Sequence, residues 1–217
     1  MKTISEALFE RLCDGNSIRW EKIPTADEKT ADYKILPSGI EIVAEVKQID
    51  PNKEELEAEE KLTRGNPVEG SCIRGERVRK KILDSQPQLV SHSRRGIPTI
   101  LVLYNNVCLP LHTEPKDIRA AMYGVEQHFF IEPRDPSIRP FFGGKRFGPK
   151  QRMTKQHNTS ISALGVISSS PQRPELAIYH NIYARVPLPP EYFRPYGVNQ
   201  FSFPEAVPGK YQEWVPV

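Results

Sequence analysis

The eight residues IPTILVLY (97–104) form a short, continuously apolar run, which is the pattern of a central β-strand covered on both faces. A strand of that kind cannot stand at the surface, so it demands a layer on each side of its sheet. The rest of the chain supplies those layers. TISEALFERLCD (3–14) puts Ile4, Leu8, Phe9 and Leu12 on one helical face, and Gly15-Asn16 marks its end. SIRWEKI (17–23) reads as a short edge strand and ADYKIL (31–36) as a second strand. GIEIVAEVKQI (39–49) follows the Pro37-Ser38-Gly39 turn at once, as the other arm of a hairpin.

Further on, residues 50–70 are acidic and poor in large apolar groups, which predicts a solvated helix and loop. ERVRKKILD (76–84) is amphipathic, with Val78, Ile82 and Leu83 against Arg77, Arg79, Lys80 and Lys81, and Pro87 is expected to break or kink any helix continuing to Ser93. TEPKDIRAAMYG (113–124) predicts a helix capped by Thr113, with Pro115 in its first turn and Gly124 past its end. SALGVIS (162–168) and ELAIYHN (175–181) predict two strands joined by the SSPQRP turn. Residues 188–217, rich in Pro and aromatics, predict an extended tail wrapped on the body. The sum is an α/β fold, a mixed sheet flanked by helices. A single domain occupies residues 1–187, with its core at 3–104, and the tail follows it.

Bulk properties narrow the function classes. With 38% hydrophobic residues, 13 glycines and 21 prolines, the 217-residue chain affords one core and many turns. A net charge of +3 does not by itself argue for nucleic acid, so local clustering must. Cys13, Cys72 and Cys108 are widely spaced and odd in number, which favours reduced thiols over a disulfide frame or zinc site. No run approaches the ~20 apolar residues of a membrane span. The expectation is a cytoplasmic protein without a membrane partner.

Within IEIVAEVKQI, alternation along a strand places Glu45 and Lys47 on one face. Asp32 lies on the neighbouring strand, where the hairpin can bring it beside Glu45. Two close carboxylates repel unless a cation sits between them, and hard oxygen donors suit Mg²⁺. A lysine alongside can position a water or neutralise a phosphate under attack. The pattern (D/E)xK occurs five times in the chain, but only Glu45–Lys47 combines an apolar strand, an acid on the strand before it and a preceding amphipathic helix. An ordinary same-face ion pair on a half-exposed sheet is the plainer alternative.

These residues resemble the PD-(D/E)xK nuclease superfamily, whose restriction-endonuclease-like core runs helix, three strands, helix, strand. The resemblance covers roughly residues 3–104. It implies catalytic roles for Asp32, Glu45 and Lys47, with Asp32 and Glu45 holding Mg²⁺ (or Mn²⁺), and it implies a helix glutamate, assigned to Glu6. Ala31 departs from the family, which usually has proline before the first acid. The implied function is metal-dependent hydrolysis of phosphodiester bonds, in DNA before RNA; a homodimer is compatible with it, though nothing in the sequence marks an interface. The alternative is a catalytically inactive nucleic-acid-binding or interaction module on the same fold.

Two basic segments are the candidate nucleic-acid contacts. Residues 134–157 carry Arg134, Arg139, Lys145, Arg146, Lys150, Arg152 and Lys155 against Asp135 alone, with Phe141, Phe142 and Phe147 interleaved and Gly143-Gly144 between them. Arg77, Lys80 and Lys81 form the second cluster. Each has a plainer reading, as a Pro-rich loop pinned by its phenylalanines or as a wet helix face. Gln88 is a further candidate near the site. The five histidines lack metal-ligand spacing, and His180-Asn181 reads as a strand-end hydrogen bond.

Overall fold

A computed structural model describes residues 2–24, 30–69, 72–108, 112–135, 137–168, 174–204 and 210–217. Helix α1 (Ile4–Gly15) begins with a reciprocal cap. The Thr3 hydroxyl accepts the Glu6 N–H at 3.2 Å and the Glu6 carboxylate accepts the Thr3 N–H at 2.7 Å. The strands β1 (Arg19–Lys22), β2 (Tyr33–Leu36) and β3 (Ile42–Ile49) then form an antiparallel meander. After α2 (Lys53–Thr63) and α3 (Glu76–Arg94), β4 (Thr99–Asn105) lies parallel to β3. Next come α4 (Pro115–Tyr123), β5 (Glu126–Ile131), β6 (Phe141–Phe147), β7 (Ala163–Ile167), β8 (Leu176–His180), β9 (Asn199–Ser202) and β10 (Val215–Pro216).

Eight of these strands make one mixed sheet in the order β1-β2-β3-β4-β7-β8-β9-β10, and β5 and β6 pair apart from it. Strand β4 sits near the middle, as its composition demands. Ile100 and Val102 join Ala44, Val46 and the α1 residues Leu8, Phe9 and Leu12 on one face. Leu101 and Leu103 join Val43, Ile49, the α3 residues Val78, Ile82 and Leu89, and the α4 residues Ile118 and Met122 on the other. Alternation therefore feeds two cores from one strand, which is why its first five positions, Thr99 included, are all buried. The acidic α2 buries none of its residues and is held instead by its ends.

Several expectations need correction. Pro87 does not break α3, which runs unbroken through it. The carbonyl that Pro87 leaves unpaired belongs to Leu83, itself 44% exposed, so water can satisfy it. For the same reason Leu83 is not a core residue; Leu89 takes that place. Helix α4 is capped at Glu114 rather than Thr113, without a side-chain bond. The tail is more than a wrap, because β9 pairs parallel with β8 and β10 pairs with β9, extending the sheet. Most of the aromatic part of 134–157 is not loop either. It forms β6, the second arm of a hairpin with β5. The SSPQRP turn lies almost wholly outside the described residues.

Candidate functional site

Strand β2 pairs with β3 in a register that sets Tyr33 against Ala44, Lys34 against Val43 and Ile35 against Ile42. One step further, that register places Asp32 opposite Glu45. Asp32 lies just before β2, and its backbone carbonyl accepts the N–H of Ile23 at 2.9 Å while its carboxylate Oδ2 accepts the N–H of Val46 at 2.8 Å. These bonds hold the side chain against β3 and bring its carboxyl group close enough to Glu45 to disfavour a charge there.

Glu45 points to the α3 face of the sheet, between the core residues Val43 and Ile49 on the same strand. It is 1% exposed. Its Oε1 pairs with the Lys47 ammonium, two residues along on the same face, and its Oε2 is buried without a hydrogen-bond partner. Burial pushes the Glu45 carboxyl up to about 7; the Lys47 ion pair opposes that rise and the Asp32 carboxylate adds to it. Lys47 keeps about a quarter of its side chain in contact with solvent. From α3, Lys81 comes close enough for the two ammonium groups to repel, and burial together with Lys47 and Arg77 lowers its affinity for a proton. Gln88, further along α3, also has a buried Oε1 without a partner.

The chemistry of this set is that of a hard-cation site with an amine beside it. Ionised Glu45 is costly because it is buried and faces Asp32, and a cation between the two carboxylates removes both penalties. The donors are all oxygen, which suits Mg²⁺ or Mn²⁺ and not zinc. Among the described residues no three acidic, histidine or cysteine side chains converge to hold a metal ion. A cation here would therefore complete its shell with backbone carbonyl, water and ligand oxygens, as Mg²⁺ ordinarily does.

Glu6 lies apart from this pair. One carboxylate oxygen completes the α1 cap, and the other accepts the Lys22 ammonium at 2.6 Å. Burial acts to raise its pKa, but the bonds from Lys22 and Thr3 outweigh that and hold it at about 2. Lys22 feels Glu6, Asp32 and Glu10 together and lies 5.6 Å above the Tyr33 ring, so it links the helix acids to the strand acid. The sequence gives no sign of Lys22, and Glu10, which ranks behind Glu6 there because Glu6 lies nearer the boundary of the apolar face, accepts the Tyr33 hydroxyl at 2.8 Å. No local pattern marks either, because each partner sits on another element. Gln48, on the opposite face of β3 from Glu45, accepts the Ser5 N–H at 3.0 Å and ties α1 to the strand.

The basic residues divide by whether a carboxylate already engages them. Arg77 forms a two-pronged ion pair with Glu55 at 2.8 and 3.0 Å and also donates to the Asp50 carbonyl, so it anchors α2. Lys145 pairs with Glu126 at 2.8 Å. Lys80, Lys150 and Lys155 are exposed, and Lys150 has a left-handed backbone, φ 66°. Arg146 lies 6.0 Å above the ring of Phe129. Arg152 has a buried Nε without a partner. His180 is a buried strand-end residue bonded to Gln200 at 3.1 Å, as its position suggests.

Comparison of the chain with protein-family models, curated proteins and solved structures gave no match.

Proposed function

We propose that the chain is a metal-dependent nuclease built on a restriction-endonuclease-like core, acting on DNA in preference to RNA. The reading rests on one observation: Asp32, fixed by the Val46 N–H, brings its carboxyl group to the buried Glu45, with Lys47 on the same face. The order α1, β1, β2, β3, α3, β4 supports it, with α2 as an insertion between β3 and α3.

Asp32 and Glu45 would hold a divalent cation, which supplies Lewis acidity and a more acidic bound water. Asp32 keeps its orientation through the Val46 N–H. Glu45 surrenders its proton on binding, which its pKa near 7 makes easy at neutral pH. Lys47 would orient the attacking water and donate to a phosphate oxygen as negative charge builds. Lys81 adds a second positive charge from the facing helix, and Glu6 with Lys22 fixes how α1 meets the strand carrying Asp32.

A second reading keeps the fold without the activity. It is favoured by the burial of Glu45, whose free oxygen is closed off from solvent unless Lys47 moves. Cleavage of labelled single- and double-stranded DNA and RNA in Mg²⁺, Mn²⁺ or EDTA separates the two. The proposal expects metal-dependent cutting that Lys47→Ala and Glu45→Ala abolish. Binding without cutting, or cutting that both variants share, favours the second reading or removes these residues from the chemistry.

A further inference from the structure

The β5–β6 hairpin stands apart from the main sheet, and its two ends are built differently. At its base, Phe147 packs against Tyr123, Phe203 and Tyr211. Glu126 there accepts Tyr211 and Lys145 and pairs with Arg119, which also binds Glu213 of the tail. Toward the tip this packing stops. Phe130 is 67% exposed and Phe142 53%. The two rings sit edge to face at 5.9 Å, and His128 continues the row at 5.7 Å from Phe142.

This row owes its shape to Gly143. The pairing shifts there, so that Phe129 faces Gly144 while Phe130 faces Phe142. A Cβ on Gly143 would lie 2.6 Å from the Phe129 ring and 2.8 Å from Ile131. The bulge thus sets Phe130 and Phe142 on one face and lays Phe129 against glycine on the other, where Phe129 at 37% and Phe141 at 51% are also exposed.

Arg134 and Arg139 are exposed in the connection between the two strands, and Arg146 lies over Phe129 on the opposite face; none of the three is paired with a carboxylate among the described residues. Glu126 is engaged as above; in the connection Asp135 accepts the N–H and hydroxyl of Ser137 and keeps its charge, and Glu132 lies beside it in sequence. Exposed rings with guanidiniums close by in the sequence match a polyanion that carries flat apolar faces. A duplex hides those faces in its own stack, whereas an unpaired strand presents them.

We propose that the β5–β6 hairpin is a stacking platform for an unpaired nucleic-acid strand, with Phe130 and Phe142 receiving bases and Arg134 and Arg139, in the connection, meeting the phosphates. The inference rests on nucleic acid being the substrate and names the form it takes. The pinned base matters, since a platform already ordered loses little entropy when a strand binds.

The test is fluorescence anisotropy of the full-length protein in EDTA, with a labelled mixed-sequence DNA strand, the same sequence as RNA, and its DNA duplex. The wild type is expected to prefer a single strand to the duplex, and the DNA and RNA arms show which. Phe130→Ala with Phe142→Ala is expected to weaken single-strand binding about five- to a hundredfold per ring, leaving its salt dependence unchanged. Arg134→Gln with Arg139→Gln is expected to make that dependence shallower. Single-strand affinity unaffected by loss of the rings overturns the proposal. So does a wild-type dimer, seen by sedimentation, that loss of the rings dissociates without altering nucleic-acid binding; the row is then an interface between copies of the chain. Because EDTA removes cleavage from the readout, ring-dependent binding by a protein that cuts nothing sustains this inference while ending the nuclease reading.

Discussion

Asp32 Oδ2 accepts the backbone N–H of Val46 at 2.8 Å, so the strand that carries Glu45 itself positions the acid that Glu45 faces. The bond crosses the β2–β3 hairpin and makes the separation of the two carboxyl groups a property of strand register. Breaking the register by one residue would send Glu45 to the α1 face and dismantle the site.

The burial of Glu45 has a consequence for stability. Its folded pKa of about 7 lies above the ordinary 4.5, so the folded state holds a proton that the unfolded state releases. The stability this confers is complete below pH 4.5 and is lost as pH rises through about 7. Glu45→Gln removes the effect. In EDTA the variant is expected to match wild type near pH 4.5 and to exceed it by on the order of 2–3 kcal/mol at about pH 8. Urea denaturation across that range checks it; a difference that stays constant with pH counts against the burial argument.

Glu6 behaves in the opposite sense. Its pKa is depressed to about 2, so the Lys22 contact stabilises the fold above pH 4.5 and fades as pH falls through about 2. The pair lies at the sheet edge, where solvent screens it. Lys22→Met is expected to cost about 0.5–1 kcal/mol at neutral pH and nothing in strong acid. Thermal melts at both pH values decide it.

Arg77 is expected to be structural. Helix α2 has no buried residue, and Glu55 in its first turn is gripped by Arg77 and by His112 at 2.7 Å. Arg77→Ala should speed amide exchange through residues 53–63 while leaving nucleic-acid affinity within about twofold. A large loss of affinity with unchanged exchange would return Arg77 to the binding surface.

Pro87→Ala is expected to stabilise the protein by about 1–2 kcal/mol, because proline inside a helix costs about 3 kcal/mol and returns part of that through a stiffer unfolded chain. Chemical denaturation measures it; destabilisation would mean that the proline bends α3 to fit the sheet.

The sequence made some of this architecture legible and hid the rest for physical reasons. Local pattern sufficed for β4, whose apolar run reflects two covering layers, and for α1, whose Leu8, Phe9 and Leu12 recur at helical spacing before Gly15-Asn16. It also sufficed to bring Asp32 to Glu45, because a tight hairpin fixes its own register. It failed for β5 and β6, where exposed phenylalanines erase the in–out alternation that marks a strand. It did not reveal the partners of Glu6 and Arg77, since Lys22 and Glu55 reach them from other elements. The tail strands β9 and β10 were hidden by length; four and two residues give alternation little room.

The most direct test of the central claim is calorimetric titration of Mn²⁺ into the wild type, Asp32→Asn, Glu45→Gln and Lys47→Ala, since it requires no knowledge of the substrate. The wild type is expected to bind Mn²⁺ at one site, lost in both carboxylate variants and retained in Lys47→Ala, with proton release on binding near pH 7. Equal Mn²⁺ binding by the wild type and the two carboxylate variants, or no binding by the wild type, would contradict it.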